Sequence, residues 1–416
     1  MTEQLEDSVA SCPVAGPTND EPPFYPMARE RPLEPPPLLG AVHAAGKVIR
    51  VRIWDDTRAW LITDFDQVRQ VLSDPRVGSD IHHPNYPHTG PAMKTARQAS
   101  KTIIVMDNPD HDRLRRMLTR EFTVKRMEAW RPRVQQMVDG LIDQMLAQPA
   151  PVDLVQTLAL PLPTMLICEL LGLPYEDREL FHRTTKITAS RTATPEESRA
   201  AQVELLDRLG SLIDQKLEEP GDDLISRMLT EHVKTGALSR DEALSMTELL
   251  MIAGHETSAH MIAMGTLTLL LHPASSDDIR VSEDPAVVAN VVEELLRWLT
   301  VLHIGRRRVA LEDLEVGGQQ IKAGDAIIAS IEAANRCPVV FPNPHEFDIH
   351  RDTGRHMAFG FGIHQCLGQP LARIELQVLW STLFRRVPTL ALAANLDELN
   401  FREGVVYGVE ELPVTW

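Results

Sequence analysis

Residues 359–368 read Phe359-Gly360-Phe361-Gly362-Ile363-His364-Gln365-Cys366-Leu367-Gly368 and run into the helical pattern Leu371-Ala372-Arg373-Ile374-Glu375-Leu376. The glycines let backbone amides approach a ligand closely, and the loop delivers Cys366 to a helix start. Unpaired amides and the positive end of the helix dipole favour a thiolate there, the form of cysteine that ligates iron. A buried free thiol in a tight turn fits the same local physics, and both readings stay open at this level. The other cysteines, Cys12, Cys168 and Cys337, show no CxxC or paired spacing, which argues against a disulfide framework or a zinc ribbon.

Around that loop lies an acidic chain of 416 residues with a net charge of −17, 43% hydrophobic and 24% charged. This composition excludes wholesale disorder, collagen-like repeats and a coiled-coil rod, and the charge disfavours nucleic acid as a partner. Glu3, Glu6 and Asp7 stand where a secretion signal would carry cations, so a cytoplasmic protein with reduced cysteines and no membrane anchor is expected. Nine prolines in residues 1–40 mark an extended entry segment. Alternation from Val48 to Ile62 predicts two strands, and Val68, Val71 and Leu72 predict a helix stopped by Asp74-Pro75. Residues 79–106, rich in His and Pro, read as a long loop. Helical patterns fill Asp110 to about His272. Strands return past Arg308, with a hairpin at Leu314–Ile321 turning on Gly317-Gly318 and further strands in the tail. The architecture is mostly α with small β-sheets from both ends, an α+β unit in which the termini pack together.

The cysteine segment resembles the haem-ligand loop of the cytochrome P450 family, Phe-x-x-Gly-x-His/Arg-x-Cys-x-Gly, at every fixed position. The resemblance implies a P450 fold with a long central helix over the haem, in one haem-thiolate monooxygenase domain from 22 to 416 after a flexible segment 1–21. It makes Cys366 the axial ligand of haem b, turns His364 toward a propionate, and places Phe359 and Gly360 in the cofactor-binding loop. The ending, residues 407–416, is similar to that of soluble actinobacterial members.

Three other segments extend the resemblance. Ala253-Gly254-His255-Glu256-Thr257-Ser258 lies in a proline-free helical pattern from about Arg240 to Leu271, roughly 48 Å long. Polar residues interrupt its apolar run, so it is no membrane span. A mid-helix Glu-Thr pair is costly unless used, and Thr257 can back-bond to the Ala253 carbonyl, opening a notch. In the family this notch covers the distal face of the haem, and Glu256 and Thr257 would organise proton delivery to oxygen. Glu294 and Arg297 share a helix face, ordinarily a surface pair worth about 0.3–0.5 kcal/mol. They match the family's structural Glu-x-x-Arg, with Arg351 as the arginine it locks to. Asp107-Asn108-Pro109-Asp110-His111-Asp112-Arg113-Leu114-Arg115 starts a helix with an aspartate cap candidate and sets His111 and Arg115 four residues apart. Alone, that is a solvated basic face. With the resemblance it becomes a propionate clamp completed by Arg308, although Arg306 and Arg307 compete for the place. One departure is Ala334-Asn335-Arg336-Cys337-Pro338, where the family's usual fourth residue is aspartate; it touches a local turn only.

His255 and His260 stand five apart, about 140° around a helix, and so cannot share a zinc ion as in a metalloprotease. A non-catalytic haem sensor or carrier would keep Cys366 and the clamp but would not need Glu256 and Thr257. The resemblance therefore implies a monooxygenase that inserts one atom of O2 into a C–H bond of a bulky apolar molecule of terpenoid, steroid or macrolide type. Leu249, Ile252, Ala253 and Ile304 would line its pocket, with 79–105 as a mobile roof. No Gly-x-Gly-x-x-Gly or cysteine cluster supplies electrons, so a ferredoxin with its reductase is the expected partner of a monomer. Residues 111–133 hold eight Lys plus Arg against three acids. With Arg373 they form the expected docking surface, a solvated face being the plainer alternative.

Overall fold

The structure is a computed structural model that describes residues 22–46, 48–91, 94, 102–188 and 193–416. Cys12, the segment 1–21 and residues 92, 93 and 95–101 of the expected roof lie outside them.

The alternating stretch near the N-terminus forms β1 (Val48–Arg52) and β2 (Arg58–Ile62), antiparallel from Val48↔Ile62 to Arg52↔Arg58. They join β3 (Val77–Gly78), β4 (Arg306–Ala310) and β5 (Ala326–Ala329) in the order β1-β2-β5-β4-β3, with β2 and β5 parallel and the other neighbours antiparallel. Alternate side chains face opposite ways. Trp60, Ile62, Ile327 and Ala329 pack on helix α1 (Phe65–Ser73), while Val51, Leu61, Ala326 and Ile328 pack on Tyr25 and Leu39. Asp64 caps α1 by accepting from the Asp66 and Gln67 amides, and the helix ends before Pro75 as predicted. The predicted hairpin pairs Leu314–Val316 with Gln319–Ile321 through two glycines of positive φ.

Helix α2 (Asp110–Thr119) starts where expected, but its cap is not an aspartate. Asn108 Oδ1 accepts from the Asp112 amide at 3.2 Å, and Asp107 turns away to the Ser79 amide at 2.7 Å. Farther on lie α3 (Arg178–Thr188) and the long helix α4 (Arg240–Leu271), 32 residues opened by a Ser239–Glu242 capping box. Thr257 Oγ1 donates to the Ala253 carbonyl at 2.7 Å, yet α4 remains helical throughout. The expected opening does not form. The hydroxyl can use the carbonyl's second lone pair, so the helix continues past it. Beyond α5 (Pro285–Leu299) and the sheet comes α6 (Gln369–Arg386), whose Trp380 packs so tightly on Gly265 of α4 that a Cβ would fall 2.2 Å from the ring.

The tail builds small sheets of its own and does not add strands to the N-terminal sheet. Phe401–Glu403 pairs with Tyr407–Val409, and Pro413–Thr415 lies between Val152–Asp153 and Ala391–Leu392. The N-terminal arm touches this region through Arg29, stacked over the Tyr407 ring at 4.2 Å. Among the described residues no helix is long and apolar enough to cross a membrane.

Candidate active site

The cysteine loop hangs from a buried lock. Glu294 on α5 accepts from Arg297 at 2.7 and 2.8 Å and from Arg351 at 3.3 Å, with Glu294 and Arg297 fully buried. Arg297 also donates to the Asn335 carbonyl at 2.9 Å, and Asn335 Oδ1 takes the Met357 amide at 2.8 Å, just ahead of the loop. The departure Cys337 is buried in an apolar cluster with Phe341 and Met357, so the thiol replaces a carboxylate by joining the core. Within the loop, the Gly360 amide donates to Met357 at 2.7 Å and the Cys366 amide to Phe359 at 2.8 Å. Gly362 has φ of 74°, and a Cβ there would sit 2.1 Å from the Leu72 carbonyl oxygen, so only glycine lets the loop rest on α1.

Cys366 precedes α6, and the amides of Gly368 and Gln369 hydrogen-bond its sulfur. Cys366 keeps open surface although protein surrounds it, so it faces an internal cavity. Burial pushes the thiol up, while those amides with Arg306 and Arg115 favour the thiolate.

Around this sulfur the structure brings together the residues named for the clamp. Arg115 donates to the Gln365 carbonyl at 2.5 Å, the rings of His111 and His364 lie 4.4 Å apart, and Ser79 Oγ sits 2.9 Å from His364 Nε2. Strand alternation settles the competition among three arginines. Arg307 points away to the Pro87 carbonyl at 2.8 Å, while Arg306 and Arg308 share the face toward the loop. Of the two competitors for Arg308's place, Arg306 thus stands beside it instead of replacing it, as the two-residue period of a strand requires. Burial, then Arg308, lower Arg306 to about 10. Burial, then Arg308, His111 and Arg115, hold His364 neutral at about 2, and burial also lowers His111. Among the described residues no carboxylate ion-pairs with Arg115, Arg306 or Arg308, and the buried His111 Nε2 has no partner. Cations and orphaned donors beside an open thiol fit a haem, whose two carboxylates they would meet.

On the long helix, Ala253 is exposed within the interior and Leu249 and Ile252 are half-buried, whereas Ile304 is buried and shows little open surface. Glu256 is 3% exposed and takes one bond, from Arg402 at 3.4 Å; burial pushes its carboxyl up and Arg402 draws it down. Beside Thr257, Ser258 hydrogen-bonds Glu375 of α6, tying the long helix to the cysteine's helix. No local pattern announces Glu375. The described part of the roof is packed and pinned, with Ile81, Tyr86 and Val105 on Val309 and Trp54 Nε1 donating to His88 at 3.0 Å. In the basic stretch, Arg113, Arg126, Arg131 and Arg133 pair with Glu242, Glu121, Glu128 and Glu169, and Arg373 pairs with Glu293. Arg116, Arg120 and Lys125 are exposed.

Comparison with known proteins bears on the family. The family description "Cytochrome P450" matches residues 194–390. Cytochrome P450 GfsF of Streptomyces halstedii is 45% identical over 97% of this chain and 98% of its own. The 20-oxo-5-O-mycaminosyltylactone 23-monooxygenase of Streptomyces fradiae is 41% identical over 94% of this chain and 92% of its own. The crystal structure of mycinamicin VIII C21 methyl hydroxylase MycCI from Micromonospora griseorubida, bound to mycinamicin VIII, superposes with a TM-score of 0.90 at 38% identity, covering 95% of this chain and all of that one. With a P450 fold, relatives of this similarity over nearly their full length and an open cysteine ringed by cations, the chain belongs to the cytochrome P450 family of monooxygenases.

Proposed function

We propose that this monooxygenase works in the cytoplasm on a bulky, mainly apolar small molecule of terpenoid, steroid or macrolide type, with electrons from a ferredoxin. Haem b, the family's cofactor, supplies oxygen activation and one-electron chemistry. Cys366 would hold its iron. His111, His364, Arg115, Arg308 and Arg306 would hold its carboxylates, with Phe359 and Gly360 shaping the loop. Thr257 Oγ1 would hold a proton at the cavity wall, resupplied from Glu256. Leu249, Ile252, Ala253 and Ile304 would border the substrate.

The observation that carries this reading is the set of unneutralised cations beside a cavity-facing thiol at a helix start. Two relatives named for mycaminosyltylactone and mycinamicin VIII support a bulky substrate. The test is the absorption spectrum of the reduced, carbon-monoxide-bound protein. The wild type shows the red-shifted Soret band of thiolate ligation, and Cys366→Ala loses both band and turnover. A variant that keeps the band refutes the ligand assignment.

A further inference from the structure

Arg306 opens β4, and the two-residue period of the strand sets it on the same face as Arg308, toward the cysteine loop. Protein surrounds the side chain, yet it keeps open surface as Cys366 does, so it reaches the same internal cavity. A Cβ on Gly360 would lie 3.8 Å from Arg306 Nε, which places the guanidinium against the loop that carries Cys366. Arg115 gives a hydrogen bond to the Gln365 carbonyl at 2.5 Å and Arg308 gives one to the Arg307 carbonyl at 2.7 Å. Arg306 makes none to the described residues. The negative group in its electrostatic range is the Cys366 thiolate, and no carboxylate among the described residues pairs with it.

The charges around the cavity can be counted. Arg115, Arg306 and Arg308 bring three positive charges, whereas His364 is held neutral and burial lowers His111 toward its neutral form. A haem b brings two carboxylates, and its ferric iron, porphyrin dianion and cysteine thiolate together sum to zero. One positive charge is left over. The first electron, passing from a reduced ferredoxin to the iron with no bond made or broken, takes that sum to −1. The surplus charge then faces its opposite in an interior where attraction is screened far less than in water. Arg306 and Arg115 are the two arginines in range of the Cys366 sulfur, and Arg306 is the one without a protein acceptor.

We propose that Arg306 acts on the iron through its charge, making the ferric haem easier for the ferredoxin to reduce and so setting the driving force of the first electron transfer. This role rests on the haem-monooxygenase reading above. Redox titration of the haem-loaded protein, followed by its absorption spectrum, tests it. Arg306→Gln and Arg306→Met are expected to lower the reduction equilibrium constant about tenfold or more, about 59 mV for one electron, and Arg306→Lys to restore most of it. Arg58→Gln removes a like charge from the exposed start of β2 in the same sheet and is expected to shift the constant less than about twofold. The Arg306 difference persists at ~0.5 M salt, because a buried charge is screened little. A residue that merely holds the haem would weaken ferric and ferrous binding alike and leave the potential in place. A shift in the neutral Arg306 variants no larger than in Arg58→Gln therefore overturns the proposal. If neither neutral variant loads haem, Arg306 is a holding residue only and the proposal falls as well. Failure of the haem reading would show differently, as a reduced, carbon-monoxide-bound wild type without the thiolate band.

Discussion

At Glu375 the protein buries a carboxyl against a serine hydroxyl, leaves its Oε1 unpartnered, and burial lifts it from 4.5 to about 8. The folded state keeps a proton that the unfolded chain releases. The resulting stabilisation is complete below about pH 4.5 and is lost as pH rises through about 8, a swing of roughly 5 kcal/mol. Denaturant unfolding followed from acidic to mildly alkaline pH is thus expected to weaken the wild type more than Glu375→Gln; parallel curves would contradict the assignment. Thr257 presents a different kind of residue-level dependence. Its hydroxyl adds to the helix without breaking it, so Thr257→Ala is expected to leave α4 intact while removing the proposed proton holder at the cavity wall. Product formed per O2 consumed is expected to fall about a hundredfold with haem content unchanged, and Thr257→Ser to recover much of it. Equal coupling in Thr257→Ala would remove that residue from the proton path.

Two glycines of the cysteine loop separate conformational cost from collision. Gly360 and Gly362 have φ of 76° and 74°, and alanine in that region costs about 1–2 kcal/mol. At Gly360 nothing lies closer than 3.8 Å to an added Cβ, whereas at Gly362 the Leu72 carbonyl oxygen lies at 2.1 Å. Gly362→Ala must therefore lift the loop off α1 and is expected to lose most of its haem, while Gly360→Ala retains more. The ratio of haem to protein absorbance measures both, and equal losses would mean that the seat on α1 does not hold the loop. The same contrast explains what was legible in the sequence. The ends of α4 were readable because Ser239, Glu242 and Pro273 are local signals, as were the Gly317-Gly318 turn and the spacing around Cys366. The aspartate cap failed because Asn108 competes for the same amides, and the notch failed because a back-bonded threonine need not break a ladder. The Glu375–Ser258 bond and the Arg402–Glu256 pair join segments distant in sequence, where no short-range pattern points to the partner.

Over the whole molecule, a charge of −17 would repel an acidic electron donor unless one face were excepted. The basic stretch supplies less of an exception than its composition promised, because most of its arginines are neutralised within the chain. What remains is concentrated near the cysteine. α2 sends Arg115 to the Gln365 carbonyl and exposes Arg116 and Arg120; Arg69 lies over the Phe361 ring at 4.5 Å, and Ile363 of the loop is 43% exposed. An acidic ferredoxin docked there would sit over the loop that carries the proposed iron ligand, the shortest route for an electron. Arg116→Glu is therefore expected to slow reduction by ferredoxin about tenfold at low salt, the deficit shrinking as ionic strength approaches ~1 M and the screening length falls to ~3 Å. Arg133→Glu tests whether position or charge alone matters, since Arg133 already pairs with Glu169 at 2.7 Å. It is expected to change the rate far less. Stopped-flow reduction across a salt series distinguishes the cases: equal slowing by both substitutions would reduce the effect to net charge, and no slowing by Arg116→Glu would move the docking face elsewhere.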